Sequence, residues 1–166
     1  MATIIAIPIL LIMVILQSAV ISQVPLLHGT ADIILLIIVA WALQERVRTA
    51  WQWSLIGGLL VGYFSVIPVI IPIIGYVIIT GISLVLRRRI WQIPFLAMLV
   101  VILIGTTLIQ LGTTLYLNLS GTAINWLEAI NLIILPSLIL NLLLALPVYV
   151  IIRDLADWVY PEEIEI

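Results

Sequence analysis

Residues Trp51–Leu86 read WQWSLIGGLLVGYFSVIPVIIPIIGYVIITGISLVL, 36 residues without one charged side chain. As a single helix this stretch would be about 54 Å long at a rise of 1.5 Å per residue. A bilayer's hydrocarbon core is only about 30 Å thick. Ser65 and Pro68 lie near the middle, and proline disfavours helix at the residue before it. The expected reading is therefore two helices, Trp51 to Ser65 and Val69 to Leu86, joined by a tight turn.

The whole chain supports a lipid-solvated reading. Of its 166 residues, 65% are hydrophobic and 8% are charged, where a soluble domain carries roughly 25% charged residues. Working outward from the central stretch, the predicted spans are 3–21, 30–43, 51–65, 69–86, 91–117 and 129–152. The expected fold is an all-α integral membrane protein. Residues 1–153 form a six-transmembrane-helix bundle and 154–166 an acidic cytoplasmic tail, a short interfacial helix that frays after Pro161. The second span is short, which calls for local thinning of the bilayer or an extra turn in the interface. The apolar run from Ile4 to Leu16 has no basic residue before it and no clear cleavage site after it, so it is read as a retained first helix.

The arginines count the spans independently, because cytoplasmic loops are enriched in Lys and Arg. With six spans and both termini cytoplasmic, Arg46 and Arg48, then Arg87, Arg88 and Arg89, then Arg153 all fall on one side and act as topology anchors. Merging Trp51–Leu86 into one crossing would split them between two sides. Trp41, Trp51, Trp53 and Trp91 at the inner boundary and Trp126 at the outer one are expected as interfacial anchors.

The chain has no cysteine and a single histidine, His28. Disulfides, thiolate metal sites and a cysteine nucleophile are excluded, and a histidine-rich metal centre with them. Nucleophile elbows, phosphate-binding glycine loops, HExxH helices and paired catalytic carboxylates are missing. No catalytic residue, cofactor or metal is expected, and a net charge of -2 gives no reason to expect nucleic acid.

Three groups of residues invite a functional reading. Asp32 opens the second span, where a carboxylate suits the helix dipole and Thr30 is the expected N-cap; the alternative is contact with a partner or ligand. Ser54, Gly58 and Gly62 form a small-residue stripe that either packs within the bundle or receives a partner's helix. Thr106, Gln110, Thr113 and Thr114 on the fifth span, and Ser137 and Asn141 on the sixth, are expected as interhelical polar contacts, although a solute pocket would use the same residue types. Pro136 and Pro147 are expected to kink the sixth helix. Arg87–Arg89 could also meet anionic lipid, and Asn118-Leu-Ser120 matches a glycosylation sequon.

The stretches Thr30-Ala-Asp-Ile-Ile-Leu-Leu36, Ile56-Gly-Gly-Leu-Leu-Val-Gly62 with the turn at Pro68, Leu135-Pro-Ser-Leu-Ile-Leu-Asn141, and Leu146-Pro-Val-Tyr149 with Arg153 together resemble the MreD family over essentially the whole chain. The chain departs from the family's usual Pro-Asp at Ala31-Asp32, and from its acidic residue late in the third span at Gly62-Tyr-Phe-Ser65. The resemblance implies a multi-pass protein of the bacterial cytoplasmic (inner) membrane. It would be a non-catalytic scaffold of the cell-wall elongation machinery, the elongasome, supporting peptidoglycan synthesis and rod cell shape. MreC, a single-span protein, is the expected partner, with RodA, its transpeptidase partner and MreB further ones. The implied fold is similar to the substrate-binding (S) components of ECF transporters. A solute-binding subunit of an ECF-type vitamin transporter is therefore the alternative, and Ala2 and Ala6 give it a small-residue pair on the first helix.

Overall fold

The computed structural model describes residues 2–19, 23, 25–89 and 94–161. Trp91, the start of the fifth predicted span and the last five residues of the tail lie outside the described residues. The described chain is all-helical, without a strand. Its helices are α1 (Ala2–Ala19), α2 (Ile33–Leu43), α3 (Ala50–Phe64), α4 (Ile70–Arg89), α5 (Pro94–Leu119) and α6 (Trp126–Val159). Of these, α4, α5 and α6 are long and apolar enough to cross a membrane, and α1 and α2 are apolar but shorter. Such helices mark a membrane protein: only lipid or protein can solvate flanks as apolar as these.

The 36-residue apolar stretch divides where its sequence predicts. Helix α3 ends at Phe64, the Ser65 hydroxyl accepts the Ile67 amide at 3.2 Å, and the Pro68 carbonyl accepts Ile71 at 3.0 Å to start α4. The two helices then pack back against each other along the small-residue stripe. A Cβ on Gly58 would lie 2.7 Å from the Ile73 Cα, and one on Gly62 would lie 2.6 Å from the Val69 Cα. Ser54 is buried, its hydroxyl bonded to the Trp51 carbonyl at 2.8 Å. Of the two readings of Ser54, Gly58 and Gly62, packing within the bundle is the one these contacts support. The small residues bring α3 and α4 backbones into contact, and α4 fills the face.

Helix α2 is the axis of the molecule. All eleven of its residues are buried, and it packs against each of the other five helices. An all-round apolar helix belongs in such a position. It is about 16 Å long. The reading of Trp41 and Trp53 as interfacial anchors is corrected. Both are fully buried, stacked at 4.2 Å between α2 and α3, whereas Trp51 and Trp126 are exposed.

Successive helices alternate in direction. Arg87 at the end of α4 reaches the residues after α2, Thr3 of α1 meets Gln52 of α3, and Tyr160 beyond α6 meets Arg46 and Thr49. All described arginine groups thus gather near one end. Two further departures concern α6. It runs unbroken through Arg153 to Val159, so the tail is a continuation of the last helix as far as the described residues go. Pro136 also acts differently from a simple kink. It follows a π-helical turn, Ile130–Ile134, closed by the Leu135 amide on the Ile130 carbonyl.

Candidate functional site

Gln17, Asp32, Tyr76, Thr106, Ser137 and Asn141 meet around the start of α2, at the end opposite the arginines. Proline has no N–H, so Pro136 leaves the Leu132 carbonyl without its helical donor. The amide of His28 takes that place at 3.0 Å. From there residues 28–35 run along α6 and hand on their amides one by one. Thr30 donates to the Ser137 hydroxyl at 3.1 Å and Asp32 to Asn141 Oδ1 at 2.8 Å. Ile33 and Ile34 both donate to Gln17 Oε1, at 2.9 and 3.3 Å, and Leu35 donates to Asp32 Oδ1 at 3.0 Å. Gly29 allows the close approach: a Cβ there would lie 2.6 Å from the Ser137 nitrogen and 2.7 Å from the Ile133 oxygen.

The first three amides of α2, which no helical carbonyl can satisfy, therefore each find a side-chain acceptor. Asp32 itself is the N-cap. Thr30, the expected cap, instead spends its amide on α6. The other side of the network is closed by Tyr76 of α4, whose hydroxyl lies 3.1 and 2.9 Å from the two Asp32 oxygens. Asn141 Nδ2 donates to Thr106 Oγ1 at 2.9 Å, and Gln110 Nε2 lies 3.4 Å from Ser137 Oγ. Thr114 bonds back to the Gln110 carbonyl at 2.8 Å, and Thr113 is half-buried on the same helix. One buried side-chain oxygen among the described residues, Thr80 Oγ1, has no partner.

The other end of α2 is finished by Arg87. Its Nη1 sits among the carbonyls of Ala42 at 3.2 Å, Gln44 at 2.6 Å and Val47 at 3.1 Å. A cation here complements the helix C-terminus and supplies donors to its free carbonyls. Arg88, Arg89, Arg46, Arg48 and Arg153 are exposed, Arg153 paired with Asp154 at 3.1 Å.

No protein-family model, curated protein or solved structure matches this chain.

The chemistry of the site is therefore read from its own geometry. Among the described residues no three His, Asp or Glu side chains come together to hold a metal, and Asp32 has neither a second carboxylate nor a nucleophile beside it. Of the two readings of Asp32, the geometry supports the structural one at the start of α2: it accepts the Leu35 amide and the Tyr76 hydroxyl. The network joins α1, α2, α4, α5 and α6 in one layer. The Asn118 side chain is likewise engaged at both ends, donating to the Thr114 carbonyl at 3.1 Å and accepting the Ile124 amide at 3.2 Å.

Sequence reasoning passed over Gln17, Gly29 and Tyr76. Gln17 had a signal, being the one amide side chain in α1. Tyr76 had a weaker one, a hydroxyl inside an apolar run; Gly29 looked like an ordinary loop glycine.

Two concave surfaces adjoin this core. A recess of about 180 Å³ beside Gln17, Ser18, Thr30 and Ser65 opens at the network end. A groove of about 440 Å³ runs between α1 and α6, floored by Ile33 and Ile37 of α2. Its walls include Met13, Leu16, Val148 and Ile151, and every lining side chain is aliphatic or methionine.

Proposed function

We propose that the chain is a non-catalytic scaffold of the bacterial cytoplasmic membrane that seats the single membrane-spanning helix of a partner. It would cross the membrane six times with both termini inside. In the elongation machinery that the MreD resemblance points to, the partner is MreC, and RodA, its transpeptidase partner and MreB act around the pair.

The observation that carries this reading is the division of labour between the interior and the groove. Asp32, Tyr76, Asn141, Thr106 and Ser137 bond one another or the backbone of residues 28–35. The recess beside Gln17 is smaller than the 300–1,000 Å³ usual for ligand pockets. The α1–α6 groove, by contrast, opens sideways and is wholly apolar, with Ile33 and Ile37 of the buried central helix at its floor. Helices associate in lipid by dispersion and close packing, not by a hydrophobic drive, and a groove between two helices supplies that contact on three sides.

Gentle extraction from native membranes, with mass spectrometry of bound proteins and small molecules, tests the proposal. Recovery of a single-span protein with an extracytoplasmic domain, together with cell-wall synthases, is expected. Leu16→Trp with Ile151→Trp, at exposed groove walls, should reduce that recovery several-fold while the melting temperature stays the same. A stoichiometric vitamin accompanied by ATPase subunits would instead identify an ECF-type solute-binding subunit. Unchanged recovery from the double variant would remove the groove from the proposal.

A further inference from the structure

At the arginine-bearing end, a cleft of about 220 Å³ lies between the turn after α2, the first residue of α5 and one side of α6. It takes no part in the polar network or the apolar groove. Gln44, Glu45 and Arg46 line it from the turn, and Tyr149, Arg153 and Asp157 from α6. The spacing of the last three, four residues apart, stacks them on one face of the helix.

Two features define what the cleft would hold. The first is its depth. Helix α6 is apolar from Val148 to Ile152 and charged from Arg153, and α2 is apolar up to Leu43 with Glu45 and Arg46 just beyond. The cleft thus straddles the boundary between hydrocarbon and water, at headgroup level. The second is its charge pattern. Arg46 and Arg153 line it with Glu45 and Asp157, so it carries both signs, and Asp154 beside it pairs with Arg153. Arg46 Nη1 donates to the Tyr160 carbonyl at 3.3 Å, and Arg153 forms an exposed pair with Asp154 through Nε at 3.3 Å and Nη2 at 3.1 Å, which a headgroup phosphate would compete with.

Guanidinium forks suit phosphate oxygens, and carboxylates suit an ammonium that can donate hydrogen bonds. A purely anionic headgroup would meet two carboxylates it has nothing to offer. A choline headgroup has the positive charge but no N–H to donate. A phosphate and a primary ammonium on one short linker satisfy both halves.

We propose that this cleft binds the headgroup of a phosphatidylethanolamine molecule, clamping the turn after α2 to α6. The proposal rests on the membrane reading and is independent of any protein partner.

The test uses the full chain, delipidated in detergent and supplied with phosphatidylethanolamine, phosphatidylglycerol or phosphatidylcholine. Melting is followed by tryptophan fluorescence and retained lipid by native mass spectrometry. One phosphatidylethanolamine per chain should survive and raise the melting temperature more than either other lipid. Arg46→Gln with Arg153→Gln should cut its retention several-fold. Glu45→Gln with Asp157→Asn should shift the preference to phosphatidylglycerol, because the arginines then act alone. Equal retention of all three lipids, or a phosphatidylethanolamine preference that survives the carboxylate substitutions, would overturn the proposal. An equal shift from soluble phosphoethanolamine would overturn the lipid as its source. Should the arginine variant fail to fold, the carboxylate variant decides the matter alone.

Discussion

Asn141 links three helices through one side chain. Its Oδ1 holds the Asp32 amide, and its Nδ2 holds Thr106 of α5, so one residue of α6 ties the start of the central helix to a third helix. Side-chain hydrogen bonds between membrane helices average about 0.6 kcal/mol, but Asn141 also accepts the backbone amide of Asp32 at 2.8 Å. Leaving a buried group unpaired costs about 1–3 kcal/mol. Asn141→Leu, which removes both bonds and leaves the Asp32 amide and the Thr106 hydroxyl unpaired, is expected to lower stability by about that amount or more in detergent melts. An unchanged melting temperature would show that the network is not what holds α2 in register. The residue type and its interhelical role were legible in the sequence. Its bond to the backbone before α2 was not, because a loop amide 109 residues away leaves no trace in local pattern.

At the level of the elements, the glycines separate contact from coincidence. Gly58 and Gly62 touch the α4 backbone, whereas a Cβ on Gly112 of α5 would meet nothing within 4 Å. Gly58→Leu is therefore expected to push α3 from α4 and to abolish a monodisperse, protease-resistant fold. Gly112→Ala should leave stability unchanged or raise it by up to about 1 kcal/mol, since alanine restricts the unfolded chain and favours helix. Size-exclusion profiles and melting curves of the two variants check the contrast; equal behaviour would mean that the α3–α4 contact is slack. The division of residues 51–86 into α3 and α4 could be read from length and from Pro68 alone. The partner of the glycine face could not, since a small-residue stripe packs equally well on a helix of its own chain or of another.

For the molecule as a whole, the gathering of arginines at one end is the feature that topology experiments can reach. The protein has no native cysteine, so single cysteines report cleanly. Val66→Cys, in the fully exposed turn between α3 and α4, should react with an impermeant thiol reagent in intact cells. Arg48→Cys, exposed after α2, should react only after the membrane is opened. Labelling of both from the same face would overturn the six-crossing arrangement. Here too the sequence was informative: the grouping of Arg46, Arg48, Arg87–Arg89 and Arg153 follows from their positions relative to six apolar runs. What it did not indicate is that Arg87 turns inward, to finish the carbonyl end of α2.

Length and hydropathy by themselves determined that this chain forms apolar helices, where the long central run breaks, and which ends carry the positive charge. These are one-dimensional quantities: a helix rises 1.5 Å per residue, and a bilayer has one thickness. Only the tertiary structure decided that α2 lies in the middle, that Trp41 and Trp53 are core rather than anchors, that α4 occupies the glycine face, and that Gln17, Tyr76 and Asp32 form one layer. The physical reason is that lipid tails are as apolar as leucine. In water a hydrophobic face points inward and marks its neighbours, but in a membrane every face is hydrophobic. The choice of neighbour then passes to close backbone approach and to a few buried hydrogen bonds, whose partners are far apart in the chain.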